Sequence, residues 1–541
     1  MPEMSGGQAV VAALKKEGVQ AVFGIPGTYN LDIYDAVQAT PSIRHILARH
    51  EGGAALMADG YARVSGQPGI CLTIAGPGAT NALTGLITAY AESSPVLMVT
   101  TEIEKRLIGQ DRGVSHEIKQ QLDIFRAALA AAQRADSVSA IPLTIQNLWM
   151  AMVNGRSRPT YLEVPWDVLG EWAEVSIPER GAVAKTAVSP QVIETAVWLL
   201  KQAKRPLIFS GLGTLRAGAS SELCKLAEQL DIPVITTANG KGSLPEDHPL
   251  ALGAGVGRNP ALTETLAKAD VVLAVGTSFD IWTMQNWTLE ISGQIIRVDV
   301  AQEQLHKNYP AAVAIHGDAK LVLSQLSAAS KPQFKNKGWA KTTAKAAKSA
   351  RTAIETEHES GAEVVRQLRS CLPRDVILTV DPTMVLQWIA WNLEIYEPNG
   401  LLLAWNSGTL GFALPAALGA QVARPDRAVV ALVGDGGFMF TGQELATAAQ
   451  YRLPVVAIVF NNKAHGSIMK QQMDGFGGRL LGVDLAGPDY AAVARALGVC
   501  GRRVTSLKEL GAHVRQALEE RVPTLLEVLV DLDELAHPWT A

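Results

Sequence analysis

The sequence predicts an α/β protein of three open parallel-sheet domains, and three observations point there. At about 150 residues per domain, 541 residues make roughly three to four domains. Short apolar runs alternate with amphipathic patterns of helical length. Several of those runs end in Gly- or Pro-containing breaks, as strands do where the chain leaves a sheet.

The elements follow in order. Ser5 is placed to cap a helix over Gly6–Glu17 that Gly18 stops. Strands are expected at Val19–Phe23, Ile43–His50, Gly69–Ala75 and Pro95–Thr100. Between them run a helix with Ala54, Leu56, Met57 and Tyr61 on its apolar face and a second over Gly78–Ala91. In the middle third, Pro206–Phe209 leads into Ser210-Gly211-Leu212-Gly213, and Ile232–Thr237, Val271–Gly276 and Ile295–Val300 are further strands. From about Ser327 to Gly361 the chain is rich in Ala and Lys, read as a solvated, partly helical linker. The last third returns to strands at Val376–Val380, Leu401–Ala404, Val429–Val433, Val455–Phe460 and Leu525–Leu529, with helices over Phe412–Val422 and Gly442–Tyr451. Strands separated by helices of this length imply βαβ units and parallel sheets. No short-period repeat is visible.

Composition excludes several classes. Hydrophobic residues at 48% and charged residues at 18% exclude global disorder. A net charge of −4 leaves no basic excess for a phosphate backbone, so no nucleic-acid partner is expected. No apolar run approaches the ~18 residues of a membrane span, and the N-terminus has no secretory pattern. Cys71, Cys224, Cys371 and Cys500 form no C-x-x-C pair. Together these predict a cytoplasmic enzyme with reduced thiols.

The strongest chemical signal is Val433-Gly434-Asp435-Gly436-Gly437, with Phe460-Asn461-Asn462 downstream; Asp435 and Asn462 are 27 residues apart. Both follow apolar strands, so both fall at carboxyl ends of strands in one sheet, the edge where open α/β sheets bind ligands. The glycines let backbone approach a phosphate closely. Asp435 and Asn462 offer two hard oxygen ligands, which suits Mg²⁺ bound through one carboxylate and phosphate oxygens. G-D-G alone would be only a turn; the two strand contexts and the spacing make it a site. A second signal is Glu51, which ends one strand and opens a helix, so that its carboxyl projects from a sheet edge.

These motifs resemble the thiamine diphosphate-dependent enzymes, in their acetolactate synthase-like and 2-oxo acid decarboxylase branch. The resemblance covers nearly the whole chain through FGIPG, RHEGGAALMADGYAR, GPGATNALTGLITAY, GTLGFALPAALGA and VGDGGF…FNN. It implies a pyrimidine-binding domain over 1–175, a central Rossmann-like domain over 185–330, a linker over 331–360 and a diphosphate-binding domain over 361–541. It also implies Mg²⁺ on Asp435, Asn462 and the Ala464 carbonyl. The diphosphate would sit among Gly434, Gly436, Gly437, His465 and Gly466, approached by Pro382 and Thr383. Glu51 would hydrogen-bond N1′ of the aminopyrimidine, with its pKa raised by burial. Pro26, Gly27, Pro77 and Asn81 would line the pyrimidine side. The Gly408 carbonyl would accept from the 4′-amino group, and Leu410 would lie beneath the bent cofactor. In the family the two half-sites meet across a subunit interface, which implies a homodimer or homotetramer. The implied reaction is decarboxylation of a small 2-oxo acid through a C2 carbanion and an enamine, with carboligation to an acceptor carbonyl as a further outcome.

Three departures favour decarboxylation over strict acetolactate synthesis. Where acetolactate synthases typically read F-G-Y-P-G-G-A, this chain has Thr28 and Tyr29 in place of Gly and Ala, which takes volume from a second 2-oxo acid. His116 stands near the position of the family's catalytic Gln and can titrate near neutral pH as an acid. The string Arg112-Gly113-Val114-Ser115-His116-Glu117 looks more like 2-oxo acid decarboxylases, including those acting on a guanidino-bearing acid. Ile468, with Met469, Gln471 and Gln472, is placed at the substrate pocket. The loop Ser210–Thr214 is not a full G-x-G-x-x-G, so the central domain stands open between an FAD site, as in several relatives, and a domain without ligand. An acetolactate synthase-type carboligase and a flavin-linked 2-oxo acid oxidase are the alternatives. A nicotinamide oxidoreductase lacks its fingerprint here, and a non-catalytic relative would be expected to have lost Glu51 or the Asp435/Asn462 pair.

Overall fold

The computed structural model describes residues 2–182, 187–330, 338–532 and 534–535. Three six-stranded sheets, each wholly parallel, follow one another along the chain. In the first, the strands run in space as Arg44–Leu47, Ala21–Gly24, Gly69–Leu72, Val96–Glu102, Thr160–Pro165 and Ala131–Arg134. In the third they run as Leu401–Leu403, Ile377–Val380, Val429–Gly434, Val456–Asn461, Thr524–Leu529 and Cys500–Val504. Counted along the chain within each domain, both orders are 2-1-3-4-6-5. The first and third domains thus repeat one architecture, a repeat too long and too diverged to show as sequence periodicity. The central sheet differs: Ala251–Ala254, Val234–Thr236, Pro206–Ser210, Val271–Val275, Gln294–Asp299 and Val313–His316 give the order 3-2-1-4-5-6 of dinucleotide folds.

The predicted elements recur with shifted ends. Ser5 caps the helix Gly6–Lys16 through a reciprocal box with Gln8. The strand expected over Ile43–His50 is only Arg44–Leu47, because the chain must turn before the helix Glu51–Ser65. The helix expected over Gly442–Tyr451 is a 3-10 turn at Gly442–Glu444 followed by Leu445–Tyr451. Residues 331–337, the start of the expected linker, lie outside the described residues. The Ala/Lys-rich stretch after them is not wholly solvated. It forms the helix Trp339–Glu357, whose Ala340 and Ala347 pack into the central domain's cores and whose Ile354 packs into that of the third.

The first and third domains share one core. The helices Glu51–Ser65 and Ala413–Ala423 cross so closely that a Cβ at Gly60 would lie 2.1 Å from the Ala416 carbonyl oxygen, and one at Gly419 would lie 1.9 Å from that of Met57. Arg63, buried beside them, donates to Asp59 and to the Leu403 carbonyl and covers the Phe412 ring. Gly60→Ala is therefore expected to cost about 3 kcal/mol by overpacking, read as a lower thermal midpoint; an unchanged midpoint would contradict this contact. No helix among the described residues is long and apolar enough to cross a membrane.

Candidate active site

Because the first and third sheets share a strand order, equivalent strand ends present equivalent loops. In the third sheet the first, second, third and fourth strands in chain order end at Val380, Leu403, Gly434 and Asn461. They lead into Asp381–Thr383, the 404–411 loop, Asp435–Gly437 and Asn462–Gly466. These segments line one cavity of about 770 Å³, which gathers Pro382, Thr383, Gly408, Leu410, Gly434, Asp435, Gly436, Gly437, Asn462, Ala464, His465, Gly466 and Ile468. Gln471 lines it as well, while Met469 and Gln472 do not. The remaining walls include Trp282, Trp405 and Arg258.

Asp435 opens the helix Asp435–Thr441 and is buried. Its Oδ1 accepts from the Gly436 amide at 2.9 Å, and its Oδ2 has no partner among the described residues. Burial pushes its pKa up, against the pull of the Gly436, Ala464 and Lys463 amides. A buried carboxylate oxygen left unpaired at a cavity wall is what a cation would satisfy. Asn462 lines the same cavity, its Oδ1 accepting from Ala464 N at 3.2 Å. Its neighbour Asn461 is structural, donating to buried Glu527 at 2.8 Å. The donor set therefore fits a divalent cation carrying phosphate oxygens.

The glycines have a second physical reason. A Cβ at Gly436 would lie 2.6 Å from the His465 ring, one at Gly437 2.4 Å from Asp381 Oδ2, and one at Gly466 2.6 Å from Asn462 Nδ2. The protein's own side chains, as well as any phosphate, require them.

Three equivalent strand ends of the first sheet carry Pro26 and Gly27, Glu51, and Pro77 with the helix bearing Asn81. Asn81 Nδ2 donates to Glu51 Oε2 at 3.0 Å. Glu51 is half-buried in the single chain, short of the apolar burial expected for it. Gly27 N donates to Asn30 at 2.7 Å, which shapes the loop that carries Thr28 and Tyr29. Tyr29 meets His116 edge-on at 5.2 Å, stacks on Trp166 at 5.7 Å and donates to the Ser115 carbonyl. His116 has φ +68 and backs onto Gly76, where a Cβ would lie 2.6 Å from its carbonyl oxygen. The structure thus joins Tyr29 and His116, which the sequence had only suggested, beside the loop that precedes Pro77.

Every residue lining the 770 Å³ cavity comes from Arg258 or later. The first-domain set with Glu51 and the third-domain set with Asp435 do not line one cavity within a single chain.

Three contributors escaped sequence reasoning. Asp381 is fully buried and accepts from Gly411 N at 2.9 Å and Ala413 N at 2.6 Å, bracing the loop that carries Gly408 and Leu410. Burial drives its pKa up to about 7 despite those amides. It ends an apolar strand before Pro382, the same signal that picked out Asp435. Gln121, buried, accepts from Gly76 N at 2.7 Å; no sequence signal marks it. Glu444 accepts from the amides of Arg49 and His50, and burial drives its pKa up to about 7 against Thr447 and those amides.

The central glycine loop, which the sequence left open between an FAD site and a domain without ligand, packs on the loop that follows the strand Val271–Val275. Gly211 N and Gly213 N donate to the carbonyls of Val275 and Gly276, both at 2.9 Å. A Cβ at Gly211 would lie 2.4 Å from the Gly276 oxygen. Its glycines serve loop-to-loop packing. Leu212 and Gly213 of this loop line a cleft of about 520 Å³ that also holds Arg156, Arg216, Asp299 and His316.

Comparison with known proteins agrees with this layout. Three family profiles match in order: thiamine pyrophosphate enzyme, N-terminal TPP binding domain, over 4–126; central domain, over 193–326; and C-terminal TPP binding domain, over 381–528. The chain is 36% identical to the probable acetolactate synthase large subunit of Methanocaldococcus jannaschii, over 98% of this chain and 92% of that protein. It is 35% identical to the probable 2-ketoarginine decarboxylase of Pseudomonas aeruginosa, over 97% and 94%. It is 31% identical to the acetolactate synthase isozyme 3 large subunit of Escherichia coli, over 100% and 96%. The chain belongs to the thiamine pyrophosphate enzymes, in the group that holds acetolactate synthase large subunits and this 2-oxo acid decarboxylase.

Proposed function

We propose that the protein is a cytoplasmic thiamine diphosphate- and Mg²⁺-dependent 2-oxo acid decarboxylase, active as a homodimer or larger assembly, with carboligation as a secondary outcome. The observation that carries this reading is the unpartnered buried oxygen of Asp435 facing the same cavity as Asn462. Four free cysteines suit a reducing compartment.

When bound, thiamine diphosphate supplies a nucleophilic thiazolium carbon and an electron sink for the bond to CO₂. The chain does the rest. Asp435, Asn462 and the Ala464 carbonyl would hold Mg²⁺, with the diphosphate beside it. Gly408 and Leu410, on a loop braced by Asp381, would hold the pyrimidine. Glu51, which accepts from Asn81, would hold or release a proton toward the pyrimidine. Because Glu51 lies outside the cavity of its own chain, a second copy supplies it, which makes the assembly part of the site.

Decarboxylation is preferred to acetolactate synthesis because Thr28 and Tyr29 take volume that a second 2-oxo acid would need, and Tyr29 is held by ring contacts with His116 and Trp166. His116 is the residue proposed to hand over a proton. The proposed reaction uses no flavin; flavin absorbance in the purified protein would reopen the oxidase reading. Product analysis with pyruvate and longer 2-oxo acids, with and without an aldehyde acceptor, tests the proposal. Aldehyde and CO₂ as main products support it, and acetolactate as the main product overturns it. His116→Ala is expected to slow turnover roughly tenfold or more with cofactor affinity unchanged; kinetics equal to the parent's would remove His116 from the mechanism.

A further inference from the structure

We propose that Glu444 is the positioning residue for Glu51. The proposal rests on the role given to Glu51 above. Glu51 sits where the strand Arg44–Leu47 turns into the helix Glu51–Ser65. Amides in such a turn have no regular partner and must find acceptors elsewhere. Here the third domain provides them. Arg49 N donates to both oxygens of Glu444, at 3.0 and 3.1 Å, and His50 N donates to Oε1 at 3.0 Å. Thr447 Oγ1 holds Oε2 from the other side at 2.7 Å, and Leu47 N donates to Tyr451 Oη at 2.9 Å.

The carboxyl is fully buried, and the helix start is pressed onto it. A Cβ at Gly53 would lie 2.3 Å from Glu444 Oε1. Oε1 accepts from both amides and Oε2 from Arg49 N and Thr447 Oγ1, so both oxygens of the carboxylate are used at this spot. An amide would replace one of these acceptors with an NH₂.

The same segment reaches the other half-site. It begins at Asp435 and runs through the helix Asp435–Thr441, where Thr441 Oγ1 donates to the Gly411 carbonyl at 2.8 Å. It ends in the turn Gly442–Glu444. One rigid segment therefore carries the proposed metal ligand at one end and holds the turn of Glu51 at the other. Glu51 does not line the cavity of that segment. The acid a chain lends to its neighbour is thus set by its own diphosphate domain.

The test uses Glu444→Gln in the full-length protein, with Glu51→Gln alongside. In the cofactor-free protein, amide hydrogen exchange at Arg49 and His50 is expected to quicken at least about tenfold. With Mg²⁺ and thiamine diphosphate bound, exchange of the cofactor's C2 proton is expected to slow by about tenfold or more, with cofactor affinity within about threefold of the parent. Parental C2-proton exchange in Glu444→Gln while Glu51→Gln is slow would overturn the proposal alone. Parental exchange in Glu51→Gln would overturn both this proposal and the role of Glu51. If Glu444→Gln does not fold, Thr447→Val removes one donor to the same carboxyl and is expected to give the same two changes in weaker form; neither change in that variant would overturn the proposal.

Discussion

Glu51→Gln is expected to lower turnover of 2-oxo acids by roughly 10²–10⁴-fold, the range a positioned acid–base group supplies, and to leave thiamine diphosphate affinity nearly unchanged. The substitution keeps the side chain's length and its contact with Asn81, whose Nδ2 now donates to Glu51 Oε2. It removes the capacity to share a proton. Isothermal titration with Mg²⁺ and thiamine diphosphate, beside steady-state kinetics, separates the two effects. Binding retained with turnover lost is the expected pair. Parental turnover would mean that the pyrimidine is activated by another group.

Asp435→Asn is expected to act at the other end, on binding. It removes the only carboxylate assigned to the metal. The loss in cofactor affinity should exceed the 10–100-fold typical of outer-shell changes around a metal. The apo protein should respond with the opposite sign. Asp435 is buried with one oxygen unpartnered, and its pKa is raised by that burial. A carboxylate raised in the folded state costs stability above its unfolded pKa, and that cost is relieved as pH falls. Near neutral pH, without metal, Asp435→Asn should therefore melt no lower than the parent. With Mg²⁺ and cofactor at ~100 times Kd, the parent gains about 2.7 kcal/mol and the variant does not. A large ligand-induced shift in the variant would contradict the assignment.

The fold was legible where strands are continuously apolar and end in punctuation. VVALV and VAIVFN are buried throughout, and their ends carry the strongest motif. Two edge strands were not legible. Ala131–Arg134 and Cys500–Val504 are short, half-exposed and mixed in composition, so nothing in their pattern separates them from loops. The Ala/Lys-rich helix Trp339–Glu357 has a narrow buried stripe of small residues, which composition alone reads as solvated surface. Within the site, the residues proposed to meet the cofactor stand at strand ends beside glycines. Gln121 and Glu444, which act through others, carry no such signal. Gln121 reaches Gly76 and Glu444 reaches Arg49 and His50 only in three dimensions, across 45, 395 and 394 residues.

On the function proposed above, Glu51 of one chain and Asp435 of another serve a single bound cofactor. Co-expression of a Glu51→Gln chain and an Asp435→Asn chain under two different tags, with tandem purification, tests it directly. Each variant alone should be nearly inactive. The mixed assembly should recover roughly half the parental turnover, because in a two-fold dimer one of the two sites receives both native residues. A mixed assembly as inactive as its parts would contradict the shared site.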